Sequence, residues 1–197
     1  MSAFLRLFAV LGALLFGAAA YAQESGELPD MVLGKADAPI TIIEYASLTC
    51  SHCASFHRET LPKLKAEWIE TGKAKLVYRD FPFDGWALGA AMIARCAGPE
   101  RYFAFLDTLF RSQEQWAQSK NPLEGLRNIA RLGGMTDQQF NTCIGDQKLM
   151  GAIQARRMEA EKKLGINSTP TFFINGEKIA GAQPYAEFEK VLKAAAK

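Results

Sequence analysis

Histidine, cysteine and excess charge are all scarce in this chain, and each shortage closes off a class of function. Only 2 histidines and 4 cysteines occur in 197 residues. A zinc cage that starts from one Cys-x-x-Cys needs two further ligands, usually a second such motif or a closely spaced His pair. Here Cys96 and Cys143 stand alone, and the only histidine besides His52 is His57, so no metal is expected. The net charge is +2 with no basic run, which removes the electrostatic footprint of a nucleic-acid binder. There are no internal repeats and no low-complexity tract. The longest apolar run, Leu7 to Ala20, is shorter than the roughly 20 residues a spanning helix requires. What remains is an ordinary globular composition, 49% hydrophobic and 22% charged, enough to bury one core.

That short apolar run follows Arg6 and leads to Ala20-Tyr21-Ala22, a small-x-small site before Gln23. A positive end, a brief apolar core and such an exit form the layout of a cleavable secretory signal. The expectation is a signal peptide over residues 1–22 and a soluble mature chain from Gln23 to Lys197 in an oxidising compartment.

The chain is organised around Cys50-Ser51-His52-Cys53. The apolar run Ile40 to Ala46 reads as a strand buried on both faces, and helical spacing begins at Cys50. A first cysteine at a helix start feels the positive end of the helix dipole, which favours thiolate over thiol. His52 adds a second positive charge when protonated, and Cys53, one turn later, is placed to attack a mixed disulfide on Cys50. A structural bridge across two residues would constrain the unfolded chain little. The spacing therefore points to thiol–disulfide exchange.

Glu44 is out of place in a buried strand, because an unpaired buried carboxylate costs several kcal/mol. It either relays protons to and from Cys53 beneath the active-site helix or sits at an exposed edge. His57, one turn beyond Cys53, reads as a surface or half-buried residue. If Cys50 and Cys53 pair with each other, Cys96 and Cys143 are left either as two buried free thiols or as a bridge. Such a bridge would close a loop of roughly 48 residues, worth on the order of 4 kcal/mol.

The polar, Gly/Pro-rich stretch from 23 to 38 reads as an arm. The helix from Cys50 should run to Thr71-Gly72 with a kink at Pro62. Ala74 to Asp80 alternates as a strand, making a right-handed parallel unit with the first. From Gly85 to Gly165 helical patterns follow one another, separated at Gly98-Pro99, Asn121-Pro122, Gly133-Gly134 and Gly145-Asp146. Cys96 ends the first of these helices and Cys143 lies in the fourth. Thr136-Asp137-Gln138-Gln139 has the form of a capping box. Asn175-Gly176 then signals a hairpin between Thr171–Ile174 and Lys178–Ala180, and an amphipathic helix closes the chain from about Pro184 to Ala195.

These features together resemble the DsbA-like thiol–disulfide oxidoreductases. The matching residues are Glu44 with Cys50, Ser51, His52 and Cys53, and then Thr169-Pro170-Thr171-Phe172-Phe173-Ile174-Asn175-Gly176. The resemblance implies an α/β thioredoxin fold with an all-helical insertion. Residues 23–83 would form the first part of the thioredoxin domain, 84–164 the insertion and 165–197 the second part. It also implies that Pro170 is cis and faces Cys50, and that the neighbouring backbone receives substrate peptide. Ser51 departs from the family's best-known members, which have proline there, and Thr169 from those with valine. The resemblance further implies a periplasmic dithiol oxidase with no cofactor beyond its own disulfide. It would act on reduced exported proteins and be reoxidised by a DsbB-like, quinone-linked membrane partner. An isomerase or reductase of the same fold is the alternative. Only about 17 residues (Gln23 to Pro39) precede the first strand in the expected mature chain, which leaves little room for an isomerase's dimerisation region and favours a monomer. Copper handling by the two cysteines is a third reading, weakened by the lack of a methionine or histidine cluster beside them.

Overall fold

A computed structural model describes residues 28–197, so the expected signal peptide at 1–22 lies outside the described residues. Strands β1 (Met31–Leu33), β2 (Ile40–Ala46), β3 (Ala74–Asp80), β4 (Thr171–Ile174) and β5 (Glu177–Ala180) form one sheet in the order β1-β3-β2-β4-β5. β2 and β3 are parallel, and the other three pairings are antiparallel. This is the thioredoxin-like fold. Among the described residues no helix is long and apolar enough to cross a membrane.

β2 lies at the centre, which explains its unbroken apolar run. By the two-residue period of a strand, Ile40, Ile42 and Glu44 share one face while Tyr45 points to the other. Ile40 and Ile42 belong to a cluster with Phe56, Leu64, Trp68 and Phe172. Phe188 and Leu192 of the last helix, α9 (Tyr185–Ala195), complete it. Tyr45 packs with Phe81, Ala160 and Ile166. Full burial of each large apolar side chain contributes about 1.5–3 kcal/mol.

The crossover from β2 to β3 is a continuous helical run, α1 (Ser51–Ser55) and α2 (Leu61–Leu64) alternating with π turns at Phe56–Thr60 and Lys65–Ile69. Proline at 62 has no N–H to offer the preceding turn. The chain absorbs that loss by widening, so that Leu61 N–H reaches back to the Phe56 carbonyl, and the helix continues through the proline.

Between β3 and β4 stand α3 (Gly85–Cys96), α4 (Pro99–Arg111), α5 (Gln113–Ala117), α6 (Pro122–Leu132), α7 (Asp137–Ile144) and α8 (Gln147–Leu164). The starts of α3, α6, α7 and α8 are capped by Asp84, Asn121, Thr136 and Asp146. The capping box read from Thr136 and Gln139 is formed in both directions, at 3.2 and 2.8 Å. Tyr102, Leu109, Phe110, Trp116 and Phe140 fill the core beneath these helices. Cys96 and Cys143 are bridged, tying the end of α3 to α7 with 6.1 Å between Cα atoms. A second tie joins sheet to helices. Arg95 Nε donates to Asp80 Oδ2 at 2.5 Å, and the Tyr102 hydroxyl donates to Asp80 Oδ1 at 3.3 Å.

Two elements depart from the sequence expectation. The arm contains β1, a three-residue strand paired with β3, too short to show periodicity. The second helical segment breaks at Ser112 into α4 and α5, so Cys143 lies in the fifth helix of the block and not the fourth.

Candidate active site

Cys50 takes the N-cap position of the helical run, with extended backbone (φ −81°, ψ 119°). Its carbonyl accepts the Ala54 N–H at 3.1 Å, and its own N–H donates to the Ser47 carbonyl at 3.1 Å. The side chain is half-buried, whereas Cys53 is fully buried. The two thiols are not bridged in this structure.

The two sulfurs are electrostatically unequal. The Cys50 thiol is lowered from the ordinary 9.0 to about 5. A hydrogen bond from the Cys53 thiol is the largest cause, opposed by partial burial and assisted by the Thr169 hydroxyl and by the backbone N–H groups of Cys53 and His52. Cys53 is pushed well above the ordinary range, first by burial, then by the neighbouring Cys50 sulfur and by Glu44. A thiol that ionises at about 5 is roughly 99% thiolate at neutral pH, the form that attacks disulfides and leaves readily from them.

Ser51 and His52 lie exposed at the helix start. His52 acts on Cys50 through its backbone N–H. The Thr169–Pro170 peptide is cis, and the Thr169 carbonyl oxygen lies 3.4 Å from Cys50 Sγ. The Thr169 hydroxyl is buried beside this sulfur and favours its thiolate form. Residues over 100 positions apart in sequence thus meet at one sulfur.

Glu44 is fully buried, which removes the exposed-edge alternative. Period-two alternation turns it toward the helical run, where His57 Nε2 lies 3.0 and 3.1 Å from its two carboxylate oxygens. His57, expected at or near the surface, is buried, its ring stacked on Phe110 with centroids 4.1 Å apart. The physical reason is helical spacing: His57 follows buried Cys53 by four residues and falls on the inner face that Phe56, Thr60 and Leu64 share. Burial is stabilised because a lone buried carboxylate requires a partner.

Three supporting residues were not read from the sequence. Gln113 Nε2 donates to the carbonyls of Leu48 and Cys50 at 2.8 and 3.0 Å, fixing the loop that carries the thiolate. The Thr49 hydroxyl donates to Asp84 Oδ2 at 2.6 Å, while Asp84 Oδ1 caps α3. Asp84 before Gly85 is a legible cap signal, but nothing local marks Gln113. Cys96 and Cys143 lie in the helical block and take no part in this site. Among the described residues no group of three or more His, Cys, Asp or Glu side chains is placed to hold a metal ion.

A half-exposed, acidified thiol set against a cis-proline loop, with its partner thiol buried behind it, is built for thiol–disulfide exchange on a thioredoxin scaffold. Residues 27–194 match the family model described as Thioredoxin. The crystal structure of alpha-DsbA1 from Wolbachia pipientis is similar at 39% identity and a TM-score of 0.81, covering 86% of this chain and 92% of that one. A protein-disulfide isomerase from Novosphingobium aromaticivorans is similar at 25% identity and a TM-score of 0.74, covering 86% of this chain and 100% of that one. A Rickettsia bellii protein named as a protein-disulfide oxidoreductase is 36% identical over 148 residues, 75% of this chain. The chain spans only 57% of that relative's length. This chain belongs to the thioredoxin family and, within it, to the DsbA-like thiol–disulfide oxidoreductases.

Proposed function

We propose that the protein is a dithiol oxidase that introduces disulfides into exported proteins, working in the periplasm after removal of residues 1–22. The observation that carries this reading is the inequality of the two thiols. A client thiolate attacks Cys50 Sγ of the oxidised pair, the Cys50–Cys53 bond breaks, and Cys53 takes up the electron pair and then a proton. A second client thiolate attacks the client sulfur of the mixed disulfide, and Cys50 leaves as thiolate. The client gains one disulfide and the protein is left with two more electrons. Because the reduced form holds Cys50 as a stabilised thiolate, the reaction is driven towards client oxidation.

In this mechanism Cys50 and Cys53 are the catalytic residues. Ser51, His52 and Thr169 shape the Cys50 environment, Pro170 presents the backbone beside it to the client peptide, and Glu44 passes the proton of Cys53. No cofactor is needed beyond the disulfide itself. Residues 23–83 and 165–197 form the catalytic scaffold, and 84–164 form an insertion locked by Cys96–Cys143. A quinone-linked membrane partner of the DsbB kind would restore the disulfide of what is otherwise a monomer.

The test mixes the oxidised protein with a reduced, unfolded disulfide protein and counts thiols. Loss of two client thiols per protein molecule, with Cys50 and Cys53 appearing reduced, is the expected result. Electron flow the other way, from reduced Cys50–Cys53 into client disulfides, would replace the oxidase with a reductase.

A further inference from the structure

The oxidase mechanism requires a proton at Cys53, a fully buried sulfur behind the active-site surface. Glu44 stands near enough for its charge to affect that thiol, but Glu44 is itself 0% exposed and cannot take a proton directly from water. Its carboxylate contacts His57 Nε2 through both oxygens. His57 lines a cleft of about 450 Å³ between the helical run 51–69 and α4, whose lining includes neither Cys50 nor the Thr169–Pro170 loop. Exposed Lys65, Ala66 and Glu70 rim one side, and Ala104, Asp107 and Arg111 the other. The rim charges pair off, Lys65 with Glu70 at 3.6 Å and Arg111 with Asp107 at 2.7 Å, so no free charge of the rim opposes an entering proton. The other groups facing the His57 ring are Phe110 from α4, stacked upon it, Phe56 at 5.5 Å and Tyr78 from β3 at 6.0 Å between centroids.

We infer that His57 is a positioning residue that carries protons from this rear cleft to the Glu44 carboxylate, and through it to Cys53. This rests on the exchange role of Cys50–Cys53 and adds its proton route. When the Cys50–Cys53 bond breaks, the Cys53 thiolate receives a proton from the Glu44–His57 pair, and water in the cleft returns one to His57. Protons therefore enter at the back while the client docks at the front, so a bound client does not block the supply. When a reoxidising partner removes the electrons, the proton of Cys53 leaves by the same path. The contact also satisfies the buried carboxylate, and it is the place of His57 in the cleft lining that gives the pair a route to solvent.

The test is single-turnover reduction of the oxidised protein by dithiothreitol, followed by rapid mixing over a range of pH. His57→Gln keeps a hydrogen-bond donor but cannot relay a proton. Its rate is expected to fall about tenfold and to decrease with rising pH where the wild-type rate does not. His57→Ala opens the floor of the cleft, and added imidazole should restore its rate several-fold while leaving the wild type unchanged. Ala66→Trp, an exposed substitution that closes the cleft mouth without touching Glu44 or His57, should slow reduction with the same pH signature. It carries the test alone if the His57 variants fail to fold. Wild-type rates and pH profiles in His57→Gln, or in Ala66→Trp where that variant stands alone, would overturn the proton route. A wild-type protein that did not exchange with dithiothreitol at all would instead overturn the functional reading beneath it.

Discussion

Cys50 and Cys53 are two residues apart at a helix start, whereas Cys96 and Cys143 are joined across 47 positions of the helical block. The first pair closes so small a loop that its disulfide adds little to the fold. Its energetics are set by what surrounds the reduced sulfurs: neighbouring N–H groups, the Thr169 hydroxyl and a buried partner thiol. The second pair has no such surroundings, and its worth lies in the long loop it closes. The same bond thus serves as a reactant in one place and as a staple in the other. The difference follows from sequence separation and local electrostatics, not from the chemistry of sulfur.

The sharpest way to break this comparison is Cys50→Ser. It should abolish thiol exchange entirely while leaving the unfolding midpoint in urea close to that of the oxidised wild type, which also lacks the Cys50 thiolate. Appreciable residual turnover would mean that the wrong sulfur has been assigned. The converse is Cys96→Ser with Cys143→Ser. Stability should fall by on the order of 4 kcal/mol, read by urea unfolding, with turnover per folded molecule retained. If turnover dropped as well, the two pairs would not be independent.

A pH series sharpens the contrast further. The lowered Cys50 value stabilises the folded reduced protein fully above the ordinary thiol value of 9.0, and that stabilisation disappears as pH falls through about 5. The disulfide form has no such group. Reduced protein should therefore gain stability over oxidised protein as pH rises from about 5 to 9.0, measured by paired urea titrations. A gap that does not vary with pH would show that Cys50 is not acidified. The smallest effect is expected from Gln113→Leu, which removes two hydrogen bonds from the loop carrying Cys50. It should cost about 1–2 kcal/mol and move the thiolate titration, followed by ultraviolet absorbance, upward from about 5.

How far the sequence disclosed this site depended on the range of each signal. The Cys-x-x-Cys after a buried strand, the Asn175-Gly176 hairpin and the Thr136–Gln139 box are local patterns, and each is legible where it stands. Glu44 announced itself as an anomaly in an apolar strand, but its partner did not. Helical spacing puts His57 on the buried face of Cys53, but which strand residue it meets there is decided by how the helical run packs on β2. Gln113 supports the loop from 63 positions away, and β1 is held by pairing with β3 alone. Thr169 meets Cys50 across 119 positions, a contact that only the family resemblance brought into view.

The central claim is that the protein stores oxidising power by stabilising its reduced form. The most direct measurement is the equilibrium reduction potential of Cys50–Cys53 against glutathione at neutral pH. The proposed oxidase predicts a value of about −120 mV, that of a strong thiol oxidant. A value of about −270 mV, that of thioredoxin, would contradict the account and make this chain an electron donor.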